Sequence, residues 1–203
     1  KAMPHLRIGD FSGGTGASAQ QALRKELLDS REFFVASGEE KADFTVEGSS
    51  IGGRVNGRLR DSKGKQLFQR SYAAPGLDEN LKAFTDDVIY TITGRPGLAT
   101  SRIVFVSDRS GRRQVYVCDA EGGDVHQVTH EKHGAVSPSI SPDSSMVAFT
   151  SYRNGFPVIR LLDLNVGWER GVTDTPGSSF GSAFSPDGTH LAAMMSFIGN
   201  PEI

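Results

Sequence analysis

The chain is poor in several features that would each point to a class of function. Its 203 residues contain one cysteine, Cys118, so an internal disulfide is impossible. Cys118 sits in the alternating run Val115-Tyr116-Val117-Cys118 and reads as a small buried apolar side chain. No partner histidine or helix start lies nearby to make it a reactive thiol. No apolar run approaches the roughly 18 residues that a spanning helix needs, which argues against direct membrane insertion. Like charges are scattered: 22 basic and 24 acidic residues give a formal net charge of -2, a balance that does not steer nucleic acid or an anionic bilayer. The start carries no charged, hydrophobic and small-residue regions of a signal peptide. It begins at Lys1 rather than Met, which fits a processed or trimmed terminus, and any export signal would lie outside this sequence.

What the chain does have is 37% hydrophobic and 23% charged residues, ordinary globular usage, and a change of character near residue 95. Beyond that point the sequence repeats. Ser141-Pro142-Asp143-Ser144 returns as Ser185-Pro186-Asp187-Gly188, and Val128-Thr129-His130 as Val172-Thr173-Asp174, both at an offset of 44 residues. The same offset aligns the apolar segments 103–107, 147–151 and 191–195, the segments 115–119 and 159–163, and the glycines Gly111, Gly155 and Gly199. Short strands, turns and no helical periodicity in a unit of this length match one four-stranded propeller blade. Within the unit Ser-Pro-Asp-Gly supplies a turn, because proline presets φ, Asp bonds nearby amides and glycine accepts positive φ. Two blades and a fraction cannot close a ring, so the sequence reads as part of a longer protein.

The first ninety-odd residues predict a strand over 6–11, a glycine-rich loop at 12–17, and a helix starting at Ser18 with Gln21 completing a capping box. Further strands are expected over 33–36 and 44–46, and a hairpin joins 54–60 to 65–72 through Asp61-Ser62-Lys63-Gly64. Leu77, Leu81, Phe84, Val88 and Ile92 form the stripe of a second helix, ended by Gly94 and Pro96. The fold class is α+β: a small mixed α/β domain over residues 1–95, a linker at 96–102, and a partial all-β propeller over 103–203.

Three motifs suggest chemistry, and each has a plainer explanation. Gly177-Ser178-Ser179-Phe180-Gly181 matches G-x-S-x-G but lies between two turns of the repeat rather than between a strand and a helix. The Gly13-Gly14-Thr15-Gly16 loop lacks a Gly-Lys-Ser/Thr ending, so a turn is expected rather than a phosphate cradle. His126, His130 and His133 lie close in sequence without a carboxylate or cysteine at ligand spacing. The expectation is no enzyme, no metal and no cofactor.

The Val-Thr, Ser-Pro-Asp-Gly repeat resembles that of the TolB family of the Tol-Pal system. The junction 92–106, the first strand Ile8-Gly9-Asp10-Phe11-Ser12-Gly13 and the segment Ala42-Asp43-Phe44-Thr45-Val46-Glu47-Gly48 resemble the same family. The resemblance implies a periplasmic adaptor with a six-bladed propeller, of which about two and a half blades are present. It would bind a Pal-like peptidoglycan-associated lipoprotein at one propeller opening and a TolA-like protein through its N-terminal segment, supporting outer-membrane integrity and constriction at division. The residues that would face Pal are His133, Gly134, Ala135, Val136 and Ser137 in one blade and Ser178, Ser179, Phe180 and Gly181 in the next. The segment before the central strand, Gly38-Glu39-Glu40-Lys41, departs from the family pattern where a helix is expected. Two alternatives remain at this point: the non-catalytic propeller of a prolyl-oligopeptidase-like peptidase, and a carbohydrate-binding propeller, for which only Trp168 and Tyr152 offer aromatic surface.

Overall fold

The computed structural model describes residues 3–38, 40–173 and 177–196, and the chain divides into two compact units, 1–100 and 101–203. Glu39, Asp174 and Gly199, which entered the sequence comparison, lie outside the described residues.

In the first unit β1 (His5–Ser12), α1 (Gly16–Asp29), β2 (Phe34–Val35), β3 (Phe44–Ile51), β4 (Arg54–Asp61), β5 (Gln66–Tyr72) and α2 (Leu77–Thr93) follow in order. The strands form one sheet, β2-β1-β3-β4-β5, with β1 parallel to β2 and β3 and the remaining pairs antiparallel. Both helices contribute to one core, where Leu23 and Leu27 of α1 and Leu81, Phe84 and Val88 of α2 meet Leu6, Val46, Val55 and Leu59 from the strands. The α2 stripe is therefore the core face expected from its periodicity.

Phe84 is the centre of this core. Its ring is fully buried and lies 5.9 Å from Phe68, 5.7 Å from Tyr72 and 6.3 Å from Phe11 between centroids. Gly57 on β4 is what admits it, since a Cβ there would stand 2.5 Å from the ring edge. Buried Asn80 clips the turn before α2 to the β3–β4 turn, donating to the Gly53 and Ala74 carbonyls and accepting from the Ala74 amide. Gly94 ends α2 in the left-handed region (φ 73°) and donates its N–H to the Tyr90 carbonyl, as a glycine stop should.

The start of α1 differs from expectation. Ser18 and Gln21 are exposed residues inside the helix, which begins at Gly16 with Thr15 as its N-cap. A tertiary contact sets this boundary: Thr15 donates its N–H to the Ser50 carbonyl, and the two hydroxyls meet at 2.7 Å. Gly16 packs so tightly that a Cβ would lie 2.1 Å from the Phe11 carbonyl oxygen.

The elements of the second unit are all strands among the described residues. β6 (Arg102–Ser107), β7 (Gln114–Asp119) and β8 (His126–Gln127) form a three-stranded sheet. β9 (Ala135–Ile140), β10 (Met146–Ser151), β11 (Val158–Asp163) and β12 (Glu169–Gly171) form a four-stranded antiparallel sheet ordered β12-β11-β10-β9, while β13 (Ser178–Phe184) pairs with β14 (Leu191–Ser196). This is a partial propeller with one complete blade among the described residues. Its sheets are out of phase with the sequence alignment, because the second and third open on the strand that precedes Ser-Pro-Asp, β9 and β13. Cys118 is buried on β7 with a free thiol.

The repeated residues make repeated bonds. The Thr129 hydroxyl accepts from the Val115 amide at 2.8 Å, and the Thr173 hydroxyl from the Ile159 amide at 3.1 Å. Val128 and Val172 donate to the carbonyls of those same two residues. In the turns, Ser141 and Ser185 bond Asp143 and Asp187 at 2.5 Å while their hydroxyls accept from the Met146 and His190 amides. The bond from the Ser185 hydroxyl, and then those from the Thr189 amide and hydroxyl, lower the Asp187 carboxyl to about 2.

Replacing Gly57 with alanine should force the enclosed Phe84 ring to move and lower stability by about 1–3 kcal/mol, read from the denaturation midpoint. An unchanged midpoint would mean that the ring has room to shift.

Candidate functional site

The two segments singled out in the sequence as loops prove to be largely strand. Ala135, Val136 and Ser137 open β9, where Ala135 pairs with Ser151 and Val136 with Thr150. Ser178 to Gly181 open β13, where Phe180 pairs with Met194. Cross-strand pairing on β10 and β14 converts these residues from connections into blade edges. His133 and Gly134 remain in the connection before β9.

Each strand bulges at the same point of the repeat. One extra residue enters β9 between Val136 and Ser139, and one enters β13 between Phe180 and Ser182. Ser137 (φ 51°) and Gly181 (φ 63°), 44 positions apart, adopt the left-handed backbone that the bulges require. The Gly181 amide donates to the Thr150 hydroxyl of the preceding blade at 3.2 Å, and the Ser179 amide to the Pro157 carbonyl at 2.8 Å.

Exposure divides the nine candidate residues. His133 and Ser137 are exposed, and Val136, Ser178, Phe180 and Gly181 are half-buried. Gly134, Ala135 and Ser179 are buried. The Gly134 carbonyl accepts from the Tyr152 amide, and Ala135 donates its N–H to the Arg113 carbonyl. The first segment borders a groove of about 710 Å³ between the β6–β7 and β10–β11 connections. Val136 and Tyr152 form its apolar side, and Arg112, Arg113 and Lys132 bring cations to it.

Beside this groove the first two sheets are locked by a buried carboxylate. Glu131, its side chain 2% exposed, accepts from the Ser151 hydroxyl at 2.8 Å and from both the Nε and an outer nitrogen of Arg153. Arg153 also bonds Glu169 at 2.8 Å, and Arg160 pairs with that same carboxylate. The main chain of Glu131 is bonded in both directions by the Gln114 side chain. Burial alone pushes the Glu131 carboxyl upward, but the bonds from Arg153 and Ser151 and the nearby arginine charges outweigh it, so the group lies below its ordinary value.

The chemistry-bearing motifs are occupied structurally. Ser179 is buried within β13 rather than raised on a strand-to-helix turn. In the glycine loop the Thr15 and Gly16 amides are already bonded to Ser50 and Gly13. His126 bonds the Asp124 carbonyl through Nδ1, and among the described residues no group of histidine, cysteine, aspartate or glutamate has the geometry to hold a metal ion.

The pattern of the TolB beta propeller domain matches residues 90–203, more than half of the chain. The chain belongs to the TolB β-propeller family. It is 34% identical over 162 residues to a TolB homolog of Chlorobium chlorochromatii, covering 76% of this chain and 36% of the relative. It is 30% identical over 170 residues to the Tol-Pal system protein TolB of Desulfosudis oleivorans, covering 80% and 38%. The chain thus spans little more than a third of the length of these relatives. The crystal structure of TolB from Acinetobacter baumannii superposes over 100% of this chain and 57% of its own, with a TM-score of 0.72 at 22% identity, a likeness of fold.

Within this TolB-family propeller, sequence reasoning missed the Glu131–Arg153–Glu169 network and the basic groove. Neither motif repeats: the positions one unit after Gln114 and Ser151 are Val158 and Met195. The one available signal was the density of arginines in the β6–β7 connection, Arg109, Arg112 and Arg113.

Replacing Glu131 with glutamine should cost about 1–3 kcal/mol at neutral pH, because Arg153 loses its buried partner while staying partly hydrated. Since the folded Glu131 value is lowered, its contribution is fully present above the unfolded carboxyl value and is lost as pH falls through the folded one. The variant should therefore lose less stability than the parent on acidification, measured by denaturation at pH 7 and pH 3. Parallel pH profiles would remove Glu131 from the acid response.

Proposed function

We propose that the chain is part of a periplasmic, non-catalytic protein–protein adaptor of the Tol-Pal type. In this reading residues 1–95 are a TolB-like N-terminal domain, 96–102 a linker and 103–203 the first blades of the propeller. The partner at the propeller opening is a Pal-like peptidoglycan-associated lipoprotein, and a TolA-like protein engages the segment before Leu6. The assembly would support outer-membrane integrity and constriction at division.

The observation that carries this reading is the pair of bulged blade edges at equivalent repeat positions. Neighbouring blades present His133–Ser137 and Ser178–Gly181 with the same backbone deviation, and bulges re-aim side chains where strands meet a ligand. The relatives carry the name of the Tol-Pal system, which supports the choice of partner. Among the described residues no helix is long and apolar enough to cross a membrane. Exposed His133 and half-buried Phe180 serve as anchors, Ser137 and Gly181 allow close backbone approach, and buried Ala135 and Ser179 hold the edges in register.

Replacing His133 and Phe180 together with alanine in the intact protein should weaken capture of a Pal-like lipoprotein by more than about 1 kcal/mol, measured by titration calorimetry. Unchanged affinity would remove both from the interface.

A further inference from the structure

The groove beside His133 has a charge character that the adaptor reading does not by itself require. Arg112 and Arg113 reach it from the β6–β7 connection, and Lys132 and His133 from the connection after β8. All four are exposed, and among the described residues no aspartate or glutamate lines the groove. Arg112 spends one nitrogen on the Lys132 carbonyl, which holds the two connections together without neutralising either cation. Two further arginines near this end are otherwise engaged. Arg153 is paired with Glu131 and Glu169, and Arg109 lies over the Phe105 and Tyr116 rings at 5.5 and 4.9 Å.

A protein with a net charge of -2 thus concentrates uncompensated cations in one recess, beside the apolar surface of Val136 and Tyr152. The volume, about 710 Å³, lies in the range of clefts that enclose a compact ligand or short chain segment. We infer that this groove receives a short acidic peptide segment of the protein partner, its carboxylates meeting Arg112, Arg113 and Lys132 and an adjacent apolar side chain resting on Val136 and Tyr152. The inference rests on the reading that the His133–Ser137 edge faces a protein partner, and adds the chemistry of what is recognised there.

A single nucleic-acid strand is the poorer match, because such binding needs successive aromatic platforms along a basic track. Among the described residues Tyr152 is the one phenylalanine, tyrosine or tryptophan lining the recess, with no row of such platforms along it. Charge complementarity of this kind governs encounter rate and choice of partner, and it weakens as salt screens it.

The test uses the intact protein and a synthetic eight-residue peptide of aspartate and glutamate with one central leucine, its asparagine/glutamine counterpart, and a dT8 oligonucleotide, by fluorescence anisotropy at 50 and 500 mM salt. The acidic peptide should bind at least tenfold more tightly than its neutral counterpart at low salt and lose most of that advantage at high salt. Arg112→Glu with Lys132→Glu should abolish the preference, whereas Arg170→Glu, a charge change on the outer strand β12, should leave it intact. Equal binding of the two peptides, tighter binding of dT8, or loss of the preference in Arg170→Glu would overturn the inference. None of these readouts uses a Pal-like protein, so a failure to capture Pal would overturn the proposed adaptor role without deciding the chemistry of the groove.

Discussion

The second unit depends on a carboxylate placed where water cannot reach it. An ionised Glu131 at 2% side-chain exposure is tolerable only with strong donors, and Ser151 and Arg153 of the next sheet supply them. Burying a charge between two sheets therefore ties their positions together, since neither can move without leaving it unpaired. Gln114 fixes the main chain on either side of the same residue. The groove, the His133 connection and the start of β9 all lie within a few residues of this lock, so the candidate surface is framed by a polar cluster rather than by apolar packing alone.

A second constraint is the unit length. In two successive repeats a threonine hydroxyl accepts the amide of the second residue of a strand, fourteen positions earlier: Thr129 from Val115 of β7 and Thr173 from Ile159 of β11. At the ends of β9 and β13, serine and aspartate close the turn onto the next strand. The bulges in β9 and β13 fall at the same point of the two repeats, four residues before these serines. Serine occupies the left-handed position in one blade and glycine in the next, so the backbone shape persists while the side chain varies, as suits a surface that differs from blade to blade.

The first unit answers a different demand. Its helices and sheet enclose one aromatic centre, and glycines at 16 and 57 exist because backbone and ring approach closer than a Cβ allows. On the remaining surface of β3 and β4, Glu47 pairs with both Arg58 and Arg60, partly exposed pairs whose contribution to stability is small. Tyr72 links β5 to α2 through Asp87 at 2.5 Å. Burial, and then that bond, hold its phenol protonated well above the usual range.

The sequence by itself determined what periodicity and turn chemistry control. Leu81, Phe84 and Val88 on one helical face, Asp61 to Gly64 as a hairpin, and the 44-residue repeat with its Thr and Ser-Pro-Asp positions were all legible, because each is decided within a few residues or by internal comparison. Tertiary structure decided the rest. The α1 start moved to Gly16 because Thr15 finds Ser50, 35 positions away. His133–Ser137 and Ser178–Gly181 became mostly strand because β10 and β14 supply their partners. Glu131 and the basic groove combine residues from separate connections at positions that do not repeat, and only the packing of one sheet on the next brings such side chains into contact.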